Sequence, residues 1–218
     1  MRGVIFDLDG TLVDSLPGIA AALNEALSRH GFDGHPLSAV ATFVGDGIRT
    51  TCQRALPEGT DPDLINRVAA THSEFYDKFW RDQTIVFPEV PELVDELKEL
   101  GLALGVCSNK AHPFTVEMIA ALLPAIPAKY VTGHKEGMGL KPDPASALAV
   151  ARAMDLAPEE LAFVGDSTVD YETARNAGMI PVLVNWGYHH ADALSATGEP
   201  VLGSVTALRQ ALAGPGAA

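Results

Sequence analysis

The chain has 218 residues, of which 28 are acidic and 15 are basic, and its formal net charge at pH 7 is −13. This charge repels nucleic acid and anionic membrane surfaces, so we expect neither as a partner. The length suits one core domain with a modest insertion, and a hydrophobic fraction of 47% is ordinary for a chain that buries a core.

The first elements predict a strand followed by a helical region. Residues 4–6 form a short apolar run that opens into the polar segment 7–11, which is typical of a buried strand ending in a loop. Helical patterns follow over residues 17–29, 38–43, 47–55 and 62–80, and no strong strand pattern interrupts them. We interpret residues 15–85 as an all-helical cap domain inserted after the first strand.

Strands and helices alternate after residue 86. The patterns predict helices over residues 91–100, 113–122, 144–154 and 169–177, and strands over 102–106, 129–131, 161–164 and 180–184. Alternation of this kind predicts a parallel sheet covered by helices. The expected fold is therefore α/β: a three-layer Rossmann-like core built from residues 1–14 and 86–218, with the small helical cap over 15–85.

Two carboxylates directly follow the first strand. Asp7 and Asp9 are two positions apart, so both side chains point to the same side wherever the chain is extended. Close carboxylates repel, and the pair persists only if a cation stabilises one or a proton neutralises the other. That favours an ionised nucleophile beside a general acid, with Gly10 allowing close backbone approach and Thr11 offering a polar group. The alternative is an ordinary Asp-rich turn.

Three further polar segments follow predicted strands. Ser108 and Asn109 suit a phosphate oxygen, although a helix N-cap would use the same residues. Lys141 lies on a proline-stiffened loop, as a phosphate-binding cation or a surface lysine. Asp166 and Asp170 could approach a hard cation, or could cap a helix. All these segments lie at or beyond the carboxyl ends of predicted strands, where parallel sheets bind ligands, which favours one phosphoryl-transfer site.

The chain resembles the haloacid dehalogenase-like phosphohydrolases. The resemblance is carried by DLDGT at residues 7–11, SN at 108–109, KPDP at 141–144 and GDSTVD at 165–170, in the order that the family has them. These motifs span the predicted core from end to end, and together they are highly specific.

The resemblance implies a role for each motif residue. Asp7 would form an aspartyl-phosphate intermediate, while Asp9 would protonate the leaving alcohol and then activate water. Magnesium would be held by Asp7, Asp166 and the backbone carbonyl of Asp9. Ser108, Asn109 and Lys141 would bind the phosphoryl group, and Gly10, Thr11 and Asp170 would support the site.

The predicted cap resembles that of the phosphoglycolate phosphatases within this family. The match rests on residues 42–47 and 54–56, and on the segments 14–15 and 86–90. In that subgroup the loop made here by Gly45, Asp46 and Gly47 reaches over the active site and helps to select the leaving group. Arg49, Arg54 and Lys78 are the basic cap residues that could meet a substrate carboxylate.

The resemblance therefore implies a Mg²⁺-dependent phosphatase acting on a small phosphate monoester. A phosphomutase of the β-phosphoglucomutase kind, and a pyrophosphatase or nucleotidase of the same family, share the core residues and remain alternatives. A non-catalytic phosphate-binding protein would not need Asp9. Cys52 and Cys107 show no disulfide or zinc spacing, and residues 4–6 are too short a run for a signal peptide. We expect a cytoplasmic monomer or homodimer.

Overall fold

The core of the fold is a parallel β-sheet. The computed structural model describes residues 1–189 and 191–213. Its six-stranded sheet has the order β5-β4-β1-β6-β7-β8, and every neighbouring pair is parallel. The strands are β1 (Gly3–Phe6), β4 (Ala103–Ala111), β5 (Val131–His134), β6 (Leu161–Gly165), β7 (Ile180–Val184) and β8 (Val201–Leu202). A separate antiparallel pair joins β2 (Val13–Asp14) to β3 (Ile85–Val86).

Helices connect these strands and cover the sheet. Those between β2 and β3 are α1 (Leu16–Arg29), α2 (Leu37–Ala41), α3 (Ile48–Ala55) and α4 (Pro62–Gln83). Those after β3 are α5 (Val90–Glu99), α6 (His112–Leu122), α7 (Ala145–Met154), α8 (Thr168–Ala177), α9 (Ala191–Ser195) and α10 (Val205–Ala213). Short 3₁₀ turns at Ala128–Tyr130 and Pro158–Glu160 precede β5 and β6.

Strand β1 lies at the centre of the sheet because both of its faces are apolar. Val4, Ile5 and Phe6 are completely buried. Val4 and Phe6 pack in the hydrophobic cluster that includes α5, α6 and α10, whereas Ile5 packs in the cluster that includes α7 and α8. A continuous apolar run is typical of a parallel strand covered on both faces. The three-layer α/β architecture expected from the sequence is confirmed.

The helical segment packs on one side of this core. Helices α1 and α4 carry its largest buried side chains, among them Leu23, Tyr76 and Trp80, and these belong to the same hydrophobic cluster as Val4 and Phe6. The β2–β3 pair brings Val13 opposite Val86, so the chain leaves the core and returns to it at adjacent points. The sequence did not predict these two short strands, since each has only two residues.

Two predicted strand bounds were wrong. Residues 129–131 were expected to form a strand, but a 3₁₀ turn closed by a hydrogen bond from the Tyr130 N–H to the Pro127 carbonyl occupies most of that range, and β5 begins at Val131. Strand β4 was expected to end at Val106 but continues to Ala111. The polar residues 108–110 conceal this continuation in the sequence. Among the described residues, no helix is both long and apolar enough to span a membrane.

Candidate active site

Asp7 lies directly beyond the buried end of β1. Its backbone N–H donates a hydrogen bond of 2.8 Å to the Val164 carbonyl, which continues the β1–β6 pairing one residue past the strand. This pairing fixes the backbone from which the Asp7 carboxylate enters a cavity at the carboxyl edge of the sheet. Asp9, Ser108, Lys141 and Asp166 line the same cavity. The structure thus brings the predicted motif residues together.

Lys141 lies between two carboxylates. Its ammonium nitrogen is 2.8 Å from Asp7 Oδ1 and 2.6 Å from Asp170 Oδ1, and the lysine side chain is only 3% exposed. Burial alone lowers the pKa of Lys141, but the charges of Asp170 and Asp7 outweigh burial and raise it above its ordinary value. Lys141 therefore remains a fixed positive charge beside Asp7.

Asp170 caps a helix, which is one of the two functions considered from the sequence, and it also pairs with Lys141. Its Oδ1 pairs with Lys141, while its Oδ2 accepts hydrogen bonds from the Ser167 hydroxyl and from the Ser167 N–H, the latter at 3.1 Å. Ser167 Oγ in turn accepts from the Asp170 N–H, which completes a reciprocal cap at the start of α8. The helix cap thus orients Asp170, and Asp170 orients Lys141.

Asp166 is held by contacts from two distant segments of the chain, residues 10–11 and 188–189. Its Oδ1 accepts a hydrogen bond of 3.3 Å from the Thr11 hydroxyl, and its Oδ2 accepts one of 2.8 Å from the Tyr188 N–H. His189 Nδ1 lies 3.2 Å from the same Oδ2, and this contact raises the pKa of the histidine. Gly10 adopts φ +85°, and a Cβ there would lie 2.5 Å from Asp166 Oδ2, so only glycine permits this approach.

The buried carboxylates form a group suited to a cation. Asp7, Asp166 and Asp170 each place an oxygen within 4.8 Å of the others. Burial raises the pKa of Asp7 to about 6, and Asp170 and Asp9 add to this rise against the lowering effect of Lys141. Three carboxylates lie around one lysine, so as ionised groups they carry more negative charge than Lys141 offsets. Because Lys141 and Ser167 engage both oxygens of Asp170, Asp7 and Asp166 are the better ligands for a divalent metal ion.

Asp9 is oriented by Lys110, which the sequence did not single out, and by Ser15, to which it assigned no role at the site. Lys110 Nζ lies 2.8 Å from Asp9 Oδ1 and 3.0 Å from Oδ2, and the Ser15 hydroxyl donates to Oδ1. Burial lowers the pKa of Lys110, but Asp9 reverses this effect and the net pKa is raised. Lys110 follows Ser108 and Asn109 directly, so the carboxyl end of β4 was the only sequence signal that pointed to it.

An irregularity in β4 turns residues 108–110 toward the site. Between the pairs Cys107–Thr132 and Ala111–His134, β4 advances four residues while β5 advances two. A bulge of this kind breaks the strict alternation of side chains. As a result, Ser108, Asn109 and Lys110 all line the cavity.

The Asn109 side chain connects the loop at Gly45 to the loop at Lys141 by hydrogen bonds. Its Nδ2 donates to the carbonyls of Gly45 at 2.9 Å and Lys141 at 3.1 Å, and its Oδ1 accepts from the Lys141 N–H at 2.7 Å. The sequence predicted Asn109 as a phosphate-binding residue, but these bonds engage both ends of its amide within the protein. Its side chain positions Lys141 and the loop at Gly45.

The loop of residues 45–47, which the sequence predicted to be a cap loop, is divided between cavity and surface. Gly45 and Gly47 line the cavity, whereas Asp46 forms an ion pair with Arg54. Of the other basic residues considered from the sequence, Arg49 donates to Asn66 Oδ1 at 3.0 Å and Lys78 to Glu74 Oε1 at 2.8 Å, both in exposed positions. The structure brings none of these three cations into the cavity lining that it describes.

The cavity is small, with a volume of about 90 Å³. Its walls come from the carboxyl edge of the sheet and from the helical segment, which contributes Ile19, Val44, Ile48 and Thr51 among others. This arrangement suits a small polar ligand enclosed between sheet and helices.

A parallel sheet with paired aspartates and a buried lysine at its carboxyl edge defines a class of α/β enzymes that act on small anionic substrates. The chain belongs to the haloacid dehalogenase-like hydrolases, whose family profile matches residues 4–184.

Its similarity to characterised sequences extends over most of its length. The phosphoglycolate phosphatase of Escherichia coli is 32% identical over an alignment of 222 positions, gaps included, which covers 93% of this chain and 88% of that protein. The Salmonella typhimurium phosphoglycolate phosphatase is 32% identical over 220 aligned positions, with coverages of 92% and 87%. A crystal structure from Lactobacillus delbrueckii, provisionally assigned as a phosphoglycolate phosphatase, superposes with a TM-score of 0.90 at 25% identity, covering 97% of this chain and 98% of that one.

Proposed function

We propose that this protein is a Mg²⁺-dependent phosphatase that hydrolyses 2-phosphoglycolate through an aspartyl-phosphate intermediate. The observation that carries the proposal is the position of Asp7 and Asp9 in one small cavity, with Lys141 paired to Asp7 and Asp166 beside it. The similarity to phosphoglycolate phosphatases supports the choice of substrate.

In the proposed first step, a carboxylate oxygen of Asp7 attacks phosphorus as the bond to the leaving oxygen breaks, and Asp9 gives that oxygen its proton. In the second step, a water oxygen attacks the phosphorus of the aspartyl phosphate and Asp9 takes a proton from the water. The bond between phosphorus and the Asp7 oxygen breaks, which releases inorganic phosphate and regenerates the Asp7 carboxylate. Lys141 and Ser108 bind the phosphoryl oxygens. Lys110 and Ser15 keep the Asp9 carboxylate directed into the cavity.

Mg²⁺ fits the buried carboxylates, with Asp7, Asp166 and the backbone carbonyl of Asp9 as its proposed ligands. When bound, the ion supplies positive charge that offsets the charge of the phosphoryl oxygens. Gly10, Thr11 and Asp170 support these ligands by the contacts described above. Because all the proposed ligands are oxygen atoms, which Mg²⁺ prefers, we propose Mg²⁺ as the metal ion.

The proposal assigns the helical segment, residues 15–85, as a cap domain and residues 1–14 and 86–218 as the catalytic core, of which residues 190 and 214–218 lie outside the described part. The cap loop Gly45, Asp46 and Gly47 would contribute to substrate selection through its two glycines at the cavity wall. The two buried free thiols, Cys52 and Cys107, suit a reducing compartment, and a cytoplasmic location is part of the proposal.

The test is a panel of phosphate esters assayed for released phosphate with Mg²⁺ and with excess chelator. We expect 2-phosphoglycolate to rank first in kcat/KM, ahead of sugar phosphates, nucleotides and pyrophosphate, and the chelator to abolish turnover. Asp7→Asn should abolish turnover while the protein remains folded, whereas the exposed Asp82→Asn should retain it. Phosphate release by Asp7→Asn near the original rate would refute the mechanism, and a low rank for 2-phosphoglycolate would refute the substrate.

A further inference from the structure

The cavity has a second polar region besides the one assigned to the phosphoryl group. Helix α4 contributes His72 and Tyr76 to its wall, and β4 contributes Lys110. The ring of His72 stacks on that of Tyr76 with centroids 5.6 Å apart, and Lys110 Nζ lies 4.4 Å from the Tyr76 centroid. The three side chains are therefore contiguous.

His72 is a buried polar group that lacks a partner. Only 4% of the residue is exposed, and neither ring nitrogen makes a hydrogen bond to the described residues. The Ile19 backbone lies near enough to favour the protonated ring slightly, but without hydrogen-bond geometry. Burial, followed by the charge of Lys110, lowers the pKa of His72 to about 3, so the ring is neutral and keeps one N–H donor.

An unpaired buried donor is costly and rare, and it calls for an explanation. His72 could have been a core histidine bonded to backbone, but the structure gives it no such bond. Since the ring lines the cavity, a ligand held there is the natural acceptor for its N–H.

Lys110 supplies positive charge in the same region. Its side chain is 8% exposed and lies against Asp9. Lys141, the other lysine among the described residues of the cavity wall, already lies between Asp7 and Asp170. An ammonium can serve two carboxylates at once, as Lys141 does, so Lys110 can hold Asp9 and a second anion together.

We propose that His72 and Lys110 form a subsite for a carboxylate on the leaving group of the substrate. The inference rests on the proposed function and deepens it. Lys110 neutralises the carboxylate, and the His72 N–H donates to one of its oxygens, which satisfies the donor that the protein leaves unpaired. Ile19, Ile48 and Phe114 line the same cavity and keep water from weakening these interactions.

The experiment compares two esters that differ only at this group. One is 2-phosphoglycolate, and the other is 2-hydroxyethyl phosphate, in which a neutral alcohol replaces the carboxylate. The measured quantity is the ratio of their kcat/KM values, because the amount of folded enzyme and any damage to Asp9 affect both esters and cancel. The unmodified enzyme should favour 2-phosphoglycolate. Lys110→Met and His72→Leu should each reduce that ratio about tenfold or more, as expected for one hydrogen bond to a charged group.

Two controls separate binding from structural damage. Lys78→Met removes a lysine from the exposed face of α4 and should leave the ratio unchanged. His72→Gln keeps an N–H donor and should retain most of the preference that His72→Leu loses.

Each other outcome has a distinct meaning. If the unmodified enzyme favours 2-phosphoglycolate and both Lys110→Met and His72→Leu keep its ratio within twofold, the subsite is refuted and the proposed function stands. If the unmodified enzyme turns over both esters equally well, the subsite is refuted while phosphatase activity stands. If it releases no phosphate from 2-phosphoglycolate, the proposed function and the subsite fail together.

Discussion

Removing the charge of Asp170 should destabilise the protein through Lys141. Asp170→Asn leaves Lys141 buried with Asp7 as its remaining ion-pair partner, at 2.8 Å. Breaking a buried ion pair typically costs about 3–5 kcal/mol, and we expect the lower figure because one partner remains. The asparagine oxygen can still accept from the Ser167 N–H, so the cap of α8 is kept, while the asparagine NH2 group cannot accept the hydrogen bond that Lys141 gives to Asp170 Oδ1.

The expected loss of about 3 kcal/mol corresponds to a fall in Tm of roughly 6–12 °C for a chain of this size. It can be measured by thermal and urea unfolding monitored by circular dichroism, without added metal. Asp82→Asn, which removes an exposed aspartate of α4, serves as the matched control. Ser167→Ala, which removes only the hydroxyl of the cap, should cost about 1 kcal/mol. The reasoning is wrong if Asp170→Asn unfolds at the same temperature and urea concentration as Asp82→Asn.

Two further predictions concern Tyr188 and the two cysteines. Tyr188→Phe removes the hydroxyl that accepts the backbone N–H groups of Ser15 at 2.8 Å and Leu16 at 3.0 Å. The Tyr188→Phe substitution should lower the free energy of unfolding, measured in urea, by about 1–3 kcal/mol. An unchanged free energy of unfolding would contradict the role of this hydroxyl. Burial raises the pKa of the Cys52 and Cys107 thiols to about 12, so neither should react with iodoacetamide at pH 8 until the protein is unfolded. Rapid labelling of the folded protein would contradict this.

The sequence predicted β1, β6 and β7 well because these strands are short and wholly apolar. Residues 161–164 and 180–184 predicted β6 and β7 almost to the residue, since an apolar run between helical patterns has few other interpretations. The strands β2, β3 and β8 were missed because two residues cannot display a period. The structure also shows which residues of neighbouring strands pair with each other, which an apolar run does not reveal by itself.

The candidate site was predictable where a residue follows a strand directly. Asp7 and Asp166 are of this kind, and both line the cavity. Lys110, Tyr188 and His189 were not predicted, because their importance depends on contacts with residues far away in the chain. Lys110 and Asp9, for example, are separated by 101 positions. Local sequence patterns carry no signal for such pairs.

The bulge in β4 has a consequence for how this chain tolerates change. A regular strand would direct Ser108 and Lys110 to one face and Asn109 to the other. Here each residue of one tripeptide has a separate role. Ser108 presents a hydroxyl at the cavity wall, Asn109 holds two loops together, and Lys110 forms an ion pair with Asp9. A substitution within the tripeptide removes one role at a time. An insertion or deletion there would shift the register of everything beyond it and remove all three at once, so length is constrained at this point more strictly than composition.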